Sequence, residues 1–95
     1  MTKEEWLLSK IAEEGGEVSH MALKAQKYGI NGVAPNQTQT NWQKLQEELV
    51  DLLVAINEYD SELMFYSPEV FNRKRKKMLD MIKVSEEHGY IKKEN

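Results

Sequence analysis

The sequence has 95 residues, the length of one small domain, and leaves no room for a separate cofactor domain. Hydrophobic residues make up 40% and charged residues 31%, as in a folded globular chain rather than a disordered or membrane one. The net charge of -3 argues against general binding to nucleic acid polymers, and the lack of cysteine excludes disulfides, thiol nucleophiles and iron–sulfur clusters. A metal would therefore bind oxygen or imidazole ligands.

The first predicted element is a helix from about residue 3 to Tyr28. Thr2 and Glu5 form a capping-box pattern, and Gly29 is typical of the position after a helix C-terminus. Small and apolar residues recur at helical spacing between these ends: Ile11, Ala12, Gly15, Val18, Ala22 and Ala25. Residues 29–40 contain two Gly, one Pro and two Asn, which predicts a loop.

A second helix is predicted from about Asn41 to Phe65, because Thr40 and Gln43 repeat the capping-box pattern. Its apolar stripe is Leu45, Leu49, Leu52 and Ile56. Ser67 and Pro68 predict the start of a third helix that runs to about His88, before Gly89 and a loose tail at 90–95.

No stretch alternates with period two, so the predicted fold is all-α, a single domain over residues 1–95. Three helices close a core poorly, and a four-helix or larger bundle through homo-oligomerisation, as a homodimer or homotetramer, would solve this problem. The longest near-apolar run, 49–56, contains Asp51 and is too short to span a bilayer. With no signal-peptide pattern at the N-terminus, the sequence predicts a cytoplasmic protein without a membrane partner.

Three acidic residues form a first cluster, Glu13, Glu14 and Glu17. Their spacing of three and four residues places them on one side of a helix, where like charges cost stability unless a cation lies among them. Lys10 is one turn before Glu13 and Glu14 and can neutralise only part of this charge.

Glu47, Glu48 and Asp51 form a second cluster, in which Glu48 and Asp51 are three residues apart on an apolar helix. A carboxylate beside a buried stripe is costly unless it is paired or binds a metal. Two antiparallel helices could bring Glu14, Glu17, Glu48 and Asp51 together as an oxygen cage for Mg²⁺, with Mn²⁺ as a substitute. The alternative is a solvated acidic face with surface ion pairs.

Gly15 and Gly16 lie within the first acidic cluster. A glycine inside a helix costs about 0.5–1 kcal/mol relative to alanine, so two adjacent ones need a reason. Clearance for a bound ligand beside the carboxylates would be one reason, and a tight helix–helix crossing would be another.

The segments EEGGE (13–17) and ELVD (48–51) resemble the EExxE…ExxD signature of the MazG-like, all-α nucleoside triphosphate pyrophosphohydrolases. The segments 22–29 and 40–53 are similar to the small phage-type members of that superfamily. The resemblance covers about residues 8–60, and the spacer between Glu17 and Glu48 is slightly long for the usual pattern.

This resemblance implies Mg²⁺-dependent hydrolysis of nucleoside triphosphates, dNTPs in particular, to monophosphate and pyrophosphate, and so a role in nucleotide-pool control. It implies that Glu14, Glu17, Glu48 and Asp51 are the metal ligands. Glu13 would orient or deprotonate water, or support the metal ligands. The resemblance also implies that Glu14 and Glu17 take part in catalysis.

Five further residues are candidates for substrate binding: Lys24, Lys27, Asn41, Lys74 and Arg75. The first three resemble phosphate or base contacts in relatives, although solvated helix-end lysines and a helix-start asparagine would look the same. Lys74 and Arg75 belong to a basic run, 73–77, of which at most two residues can face one site.

Two other classes of protein compete with this prediction. Glu17 and His20 have the Glu-x-x-His spacing of di-iron carboxylate bundles, which a homodimer would double. A non-enzymatic helical oligomer or interaction protein would explain the apolar faces, but it leaves the acidic clusters unexplained.

Overall fold

A computed structural model describes residues 1–63 and 67–92 of the chain. It contains three helices: α1 (Lys3–Tyr28), α2 (Asn41–Tyr59) and α3 (Pro68–Glu87). The described residues contain no strand, only an isolated antiparallel bridge between Val33 and Thr40. The all-α prediction is therefore confirmed. No helix among these residues is both long enough and apolar enough to cross a membrane.

The ends of α1 lie where the local sequence predicts them. The Thr2 side chain accepts a hydrogen bond from the Glu5 backbone N–H, and the Glu5 carboxylate accepts one from the Thr2 backbone N–H, both at 3.1 Å. At the other end Gly29 has φ +95°, a conformation that L side chains rarely adopt, and its N–H donates to the Ala25 carbonyl. These local bonds satisfy backbone groups that a helix end leaves free.

The loop at 29–40 is fastened to the start of α2. The backbone N–H groups of Asn41 and Trp42 donate to the carbonyls of Gly32 (2.8 Å) and Ile30 (2.9 Å). The Asn41 side chain is only 3% exposed, and its Nδ2 donates to the Gly29 carbonyl at 2.8 Å. Asn41 therefore holds the two ends of the loop together from a buried position.

The second helix is shorter than its sequence pattern predicts. It ends at Tyr59, where the Asp60 N–H donates to the Ile56 carbonyl. The Asp60 carboxylate then accepts from the Glu62 N–H at 3.0 Å, so this side chain offers the backbone a turn in place of helix. The predicted end near Phe65 was wrong, and Phe65 itself lies outside the described residues.

Two compact units make up the chain, Met1–Met64 and Phe65–Asn95. In the first, α1 and α2 pack together as a hairpin. The Tyr59 hydroxyl at the end of α2 donates to the Glu4 carboxylate at the start of α1, which shows that the two helices are antiparallel. The buried apolar residues of this unit are Leu7, Met21, Ala25 and Ala55.

The second unit contains α3. Ser67 Oγ accepts from the Glu69 N–H, Pro68 occupies the first turn, and no residue of the helix is buried. The helix ends at Glu87, one residue before the predicted end, and Gly89 follows with φ +78°. Of the predicted tail 90–95, the N–H groups of residues 90 and 91 donate to the Ser85 carbonyl, while 93–95 lie outside the described residues.

Candidate functional site

Two carboxylates lie within the seam where α1 and α2 pack. The less exposed positions of α1 recur every three or four residues: Leu7, Ile11, Glu14, Val18 and Met21. Those of α2 are Asn41, Leu45, Glu48, Leu52 and Ala55. Glu14 and Glu48 therefore occupy positions that would otherwise hold apolar side chains, and both are half-buried.

The hairpin brings Glu14, Glu48 and Asp51 together. Each offers one carboxylate oxygen, and these three oxygens all lie within 4.8 Å of one another. We call this set the carboxylate cluster. It contains three of the four residues predicted as metal ligands; Glu17, the fourth, is exposed and is not one of the three.

The electrostatics of the cluster are centred on Glu48. Loss of hydration raises the pKa of the Glu48 carboxyl above its usual value, and the negative charges of Glu17, Asp51, Glu14 and Glu47 raise it further. Glu17 is therefore close enough to act on Glu48 through its charge. The cluster holds more negative charge than is favourable, so a cation would stabilise it.

Glu13 has a different environment from its neighbour Glu14. It is exposed, and Lys10 Nζ lies 3.2 Å from one of its carboxylate oxygens. Within residues 1–63 and 67–92 this is the single ion pair. Lys10 thus neutralises Glu13 and no member of the carboxylate cluster.

The donor set of the cluster fits Mg²⁺. This ion takes oxygen ligands at about 2.1 Å, so two ligand atoms on opposite sides of it are about 4.2 Å apart. Oxygens that already lie within 4.8 Å need only small side-chain adjustments to reach such positions. Three carboxylates also leave positions free for water and for phosphate oxygens, which is the usual composition of a protein Mg²⁺ site.

Gly15 and Gly16 are not explained by packing inside the chain. A Cβ atom added at either position would meet no heavy atom within 4 Å among the described residues. A tight crossing of α1 with α2 therefore does not require them. The space beside the carboxylate cluster is open to a ligand or to a second chain.

Two of the predicted substrate-binding residues, Lys24 and Asn41, border the same cavity. We call it the loop cavity; its volume is about 520 Å³, and it lies between the end of α1 and the loop at 29–40. Its other lining residues are Tyr28, Gly32, Val33, Ala34 and Pro35. Sequence reasoning missed these five, because nothing in their spacing marks a wall formed by a loop folding back on a helix.

The other three substrate candidates are exposed and are not lining residues of the loop cavity. Lys27 is exposed and does not line it; its Nζ lies 5.2 Å from the centre of the Tyr28 ring. Lys74 and Arg75 are exposed on α3, in the second unit. Asn41 borders the cavity while its amide donates to Gly29, so its first role is structural.

The di-iron alternative has little support in this arrangement. His20 is exposed, and it belongs to no group of potential metal ligands in the part of the chain that the structure describes. The carboxylate cluster has only oxygen ligands, which suit a hard cation such as Mg²⁺. Di-iron bundles use histidine nitrogens as well.

Comparison with known proteins adds no information on the function of this chain. No protein family model matches the chain, and neither a curated protein nor a solved structure matches it.

Proposed function

We propose that this protein is a Mg²⁺-dependent nucleoside triphosphate pyrophosphohydrolase of the MazG-like type, acting on dNTPs in particular. The observation that carries the proposal is the convergence of Glu14, Glu48 and Asp51 across the α1–α2 seam. These residues are the second acid of the EExxE-like segment and both acids of the ExxD-like segment. Two motifs separated in sequence thus supply one cluster.

In the proposed reaction, water attacks the α-phosphorus of the triphosphate. A bond forms between the water oxygen and phosphorus, and the bond from phosphorus to the bridging oxygen breaks. The attacking water releases a proton to solvent, and the products are the monophosphate and pyrophosphate. Mg²⁺, when bound, supplies positive charge that offsets the charge of the triphosphate. Glu14, Glu48 and Asp51 would hold the ion, and Glu17, whose charge acts on Glu48, is the fourth proposed ligand.

The remaining acidic residue, Glu13, has a supporting role in this proposal. Its exposed position and its pairing with Lys10 place its charge outside the carboxylate cluster. We assign it to orienting water or to supporting the ligands from α1. Positioning of this kind contributes much of the rate enhancement in phosphoryl transfer, where protein groups form few covalent bonds.

The experiment that tests the proposal measures pyrophosphate release from a panel of NTPs and dNTPs, with and without Mg²⁺. Glu17→Gln and Asp51→Asn should abolish Mg²⁺-dependent release while the helical circular dichroism stays unchanged. Glu58→Gln, which removes a charge from an exposed position elsewhere on α2, is the matched control and should keep its activity. Full activity in both site variants would refute the assignment.

We also propose that the chain works as a homodimer or homotetramer, in a bundle of four or more helices. Val50, Leu53 and Val54 are 44–55% exposed and lie on the face of α2 opposite its seam with α1. We call them the outer patch. Only four apolar residues are buried within residues 1–63 and 67–92, so covering the outer patch with a second copy would add to the stability.

Light scattering of the purified protein tests this second proposal. A mass of two or four chains is expected, and a mass of 11.1 kDa at micromolar concentration would contradict it. If the protein is oligomeric but no nucleotide is turned over, the reading as a non-enzymatic helical oligomer gains support instead.

A further inference from the structure

We propose that the loop cavity receives the nucleoside part of the substrate, with the base against its apolar wall and the phosphates directed toward the carboxylate cluster. This inference rests on the proposed function, since it supplies the other half of a nucleotide site. It assigns a binding role to Tyr28, Val33, Ala34 and Pro35, to which the sequence motifs gave none.

The size and lining of the loop cavity suit a flat, mostly apolar ligand. Its volume of about 520 Å³ falls within the range of small-molecule pockets, about 300–1,000 Å³. Val33, Ala34 and Pro35 provide an apolar wall, and Tyr28 is the aromatic residue of the lining, the residue type on which bases stack. Lys24 is the one cationic residue of the lining.

The loop that forms this wall is held in place before any ligand binds. The antiparallel bridge between Val33 and Thr40 and the buried Asn41 side chain fix its two ends. Gly32 lies so near the end of α1 that a Cβ atom there would be 2.8 Å from the Tyr28 carbonyl oxygen. A pre-formed wall reduces the entropy cost of binding, which is what a small nucleoside pocket needs.

The cavity also lies at a suitable distance from the acidic residues. Lys24 follows Glu17 by seven residues on α1, and Asn41 precedes Glu48 by seven on α2. Seven residues are two helical turns, about 10 Å, and return to within about 20° of the same face. A nucleotide whose first phosphate is near the cluster extends its sugar and base over about this length.

Lys24 stands between the two halves of the proposed site. Side chains on a helix lean toward its N-terminus, which for Lys24 is the direction of Glu17 and Glu14. The residue is half-buried and forms no ion pair within residues 1–63 and 67–92. Its charge is thus available to a phosphate group.

A second groove borders the carboxylate cluster and is the competing location for the base. Its lining residues are Gln39, Gln43, Gln46, Glu47, Val50 and Asp51. It has no aromatic ring, and two of its amides are already engaged. Gln39 Nε2 donates to Glu47 at 2.7 Å, and Gln43 Oε1 accepts from the Thr40 N–H at 2.8 Å. The loop cavity therefore offers the better surface for a base.

Titration with deoxynucleosides, which carry no phosphate, tests the proposal independently of catalysis. Thymidine, deoxycytidine, deoxyadenosine and deoxyguanosine are each added without metal to the full-length protein, and backbone amide shifts are followed by NMR. We expect at least one nucleoside to shift the amides of Tyr28, Gly32 and Val33, in the wild type and in Glu48→Gln alike. Shifts at Gln39, Gln43 and Gln46 instead, or no shifts with any nucleoside, would overturn the proposal.

Steady-state kinetics of a variant with a filled cavity provide a second test. Ala34→Phe places a ring in the cavity and should raise KM for the preferred dNTP at least about tenfold with little change in kcat. Gln37→Phe, three residues later on the same exposed loop and outside the lining, is the matched control and should change KM less than about twofold. Equal KM values in wild type and Ala34→Phe would refute the assignment.

The two proposals fail in different ways. If nucleosides bind the loop cavity but the wild type turns over no nucleotide, the proposed reaction is wrong and the cavity remains a nucleoside site. If the wild type turns over nucleotides while nucleosides shift only the glutamine-lined groove, the reaction stands and the inference about the cavity is wrong.

Discussion

Residues 1–63 carry 11 acidic and five basic side chains, whereas residues 67–92 carry four acidic and seven basic ones. The net charge of -3 for the whole chain hides this difference. In the α1–α2 hairpin, part of the negative charge is half-buried and converges on one point. On α3 every basic side chain is exposed to water.

This contrast is the reason why the proposed function uses the charges of one region and not those of the other. A solvated lysine or arginine costs little, so a run of basic residues on an exposed helix needs no ligand to explain it. Three carboxylates that meet at a helix seam, two of them half-buried within it, repel one another unless a cation lies among them. The proposed chemistry therefore lies in the hairpin, and the following predictions test that proposal.

The largest expected effect is a difference in pyrophosphate release between a variant of the hairpin and a variant of α3. Glu14→Gln should lower Mg²⁺-dependent pyrophosphate release by more than about a hundredfold, because it removes one of the proposed metal ligands. The double variant Lys74→Ala/Arg75→Ala should lower it by less than about tenfold, as expected for exposed charges that assist at most weakly. Steady-state kinetics of both proteins measure this difference, and comparable losses would place essential chemistry on α3 as well.

The outer patch should control self-association. Val54→Glu puts a charge into the face that a second copy would cover, and it should weaken the oligomer by about a hundredfold or more in Kd. Thr38→Glu adds the same charge to an exposed loop residue and should leave the mass unchanged. Analytical ultracentrifugation over a range of concentrations distinguishes them, and an oligomer that survives Val54→Glu would require another interface.

Asn41→Ala should destabilise the hairpin, because it leaves the Gly29 carbonyl without its buried donor. The expected cost is about 2 kcal/mol, equivalent to a fall in Tm of roughly 10 °C for a domain of this size. Asn57→Ala, at an exposed position on α2, should stay within about 0.5 kcal/mol. Thermal melts followed by circular dichroism give both values, and a small effect at Asn41 would mean that the loop is not fastened as described.

Gly15→Ala should separate stability from activity. Because a Cβ there meets nothing within 4 Å, the substitution should raise stability by about 0.5–1 kcal/mol, through better helix propensity. Lower turnover in the same protein would show that the open space is used by a ligand or by a second chain. If stability and turnover both stay at wild-type values, the glycine has no role that these measurements detect.

The raised pKa of Glu48 predicts a pH dependence of the metal-free protein. The folded state binds a proton at this site more tightly than the unfolded state, so the ionised carboxylate destabilises the fold above the folded-state pKa. This destabilisation is relieved as the pH falls through that value toward the ordinary pKa of 4.5. Glu48→Gln should remove this dependence and raise Tm at neutral pH, and Mg²⁺ should raise Tm of the wild type more than that of the variant. A wild-type melt in which Mg²⁺ has no effect at neutral pH would contradict the cation site.

The sequence by itself determined where helices begin and which charged residues lie one helical turn apart. The capping boxes at Thr2 and Thr40, and the Ser67–Pro68 start, act through hydrogen bonds or backbone restrictions within a few residues, so they can be read without a fold. The same holds for the spacing of the acidic residues, and for the pairing of Lys10 with Glu13 one turn away. The end of α2 was missed because the turn formed by the Asp60 side chain competes with helix in a stretch that has no glycine or proline.

Only the tertiary structure decided which acids meet. Glu13 and Glu14 are adjacent in sequence, but 100° of helical rotation sends one to solvent and the other into the seam with Glu48. The buried hydrogen bond from Asn41 to Gly29 joins residues that are 12 apart in sequence. The walls of the loop cavity likewise combine a helix end, a loop and the start of the next helix, and no local rule predicts such contacts. Helix starts and charge spacing are local properties of the chain, whereas a site is formed by distances across it, and those are set by how the hairpin packs.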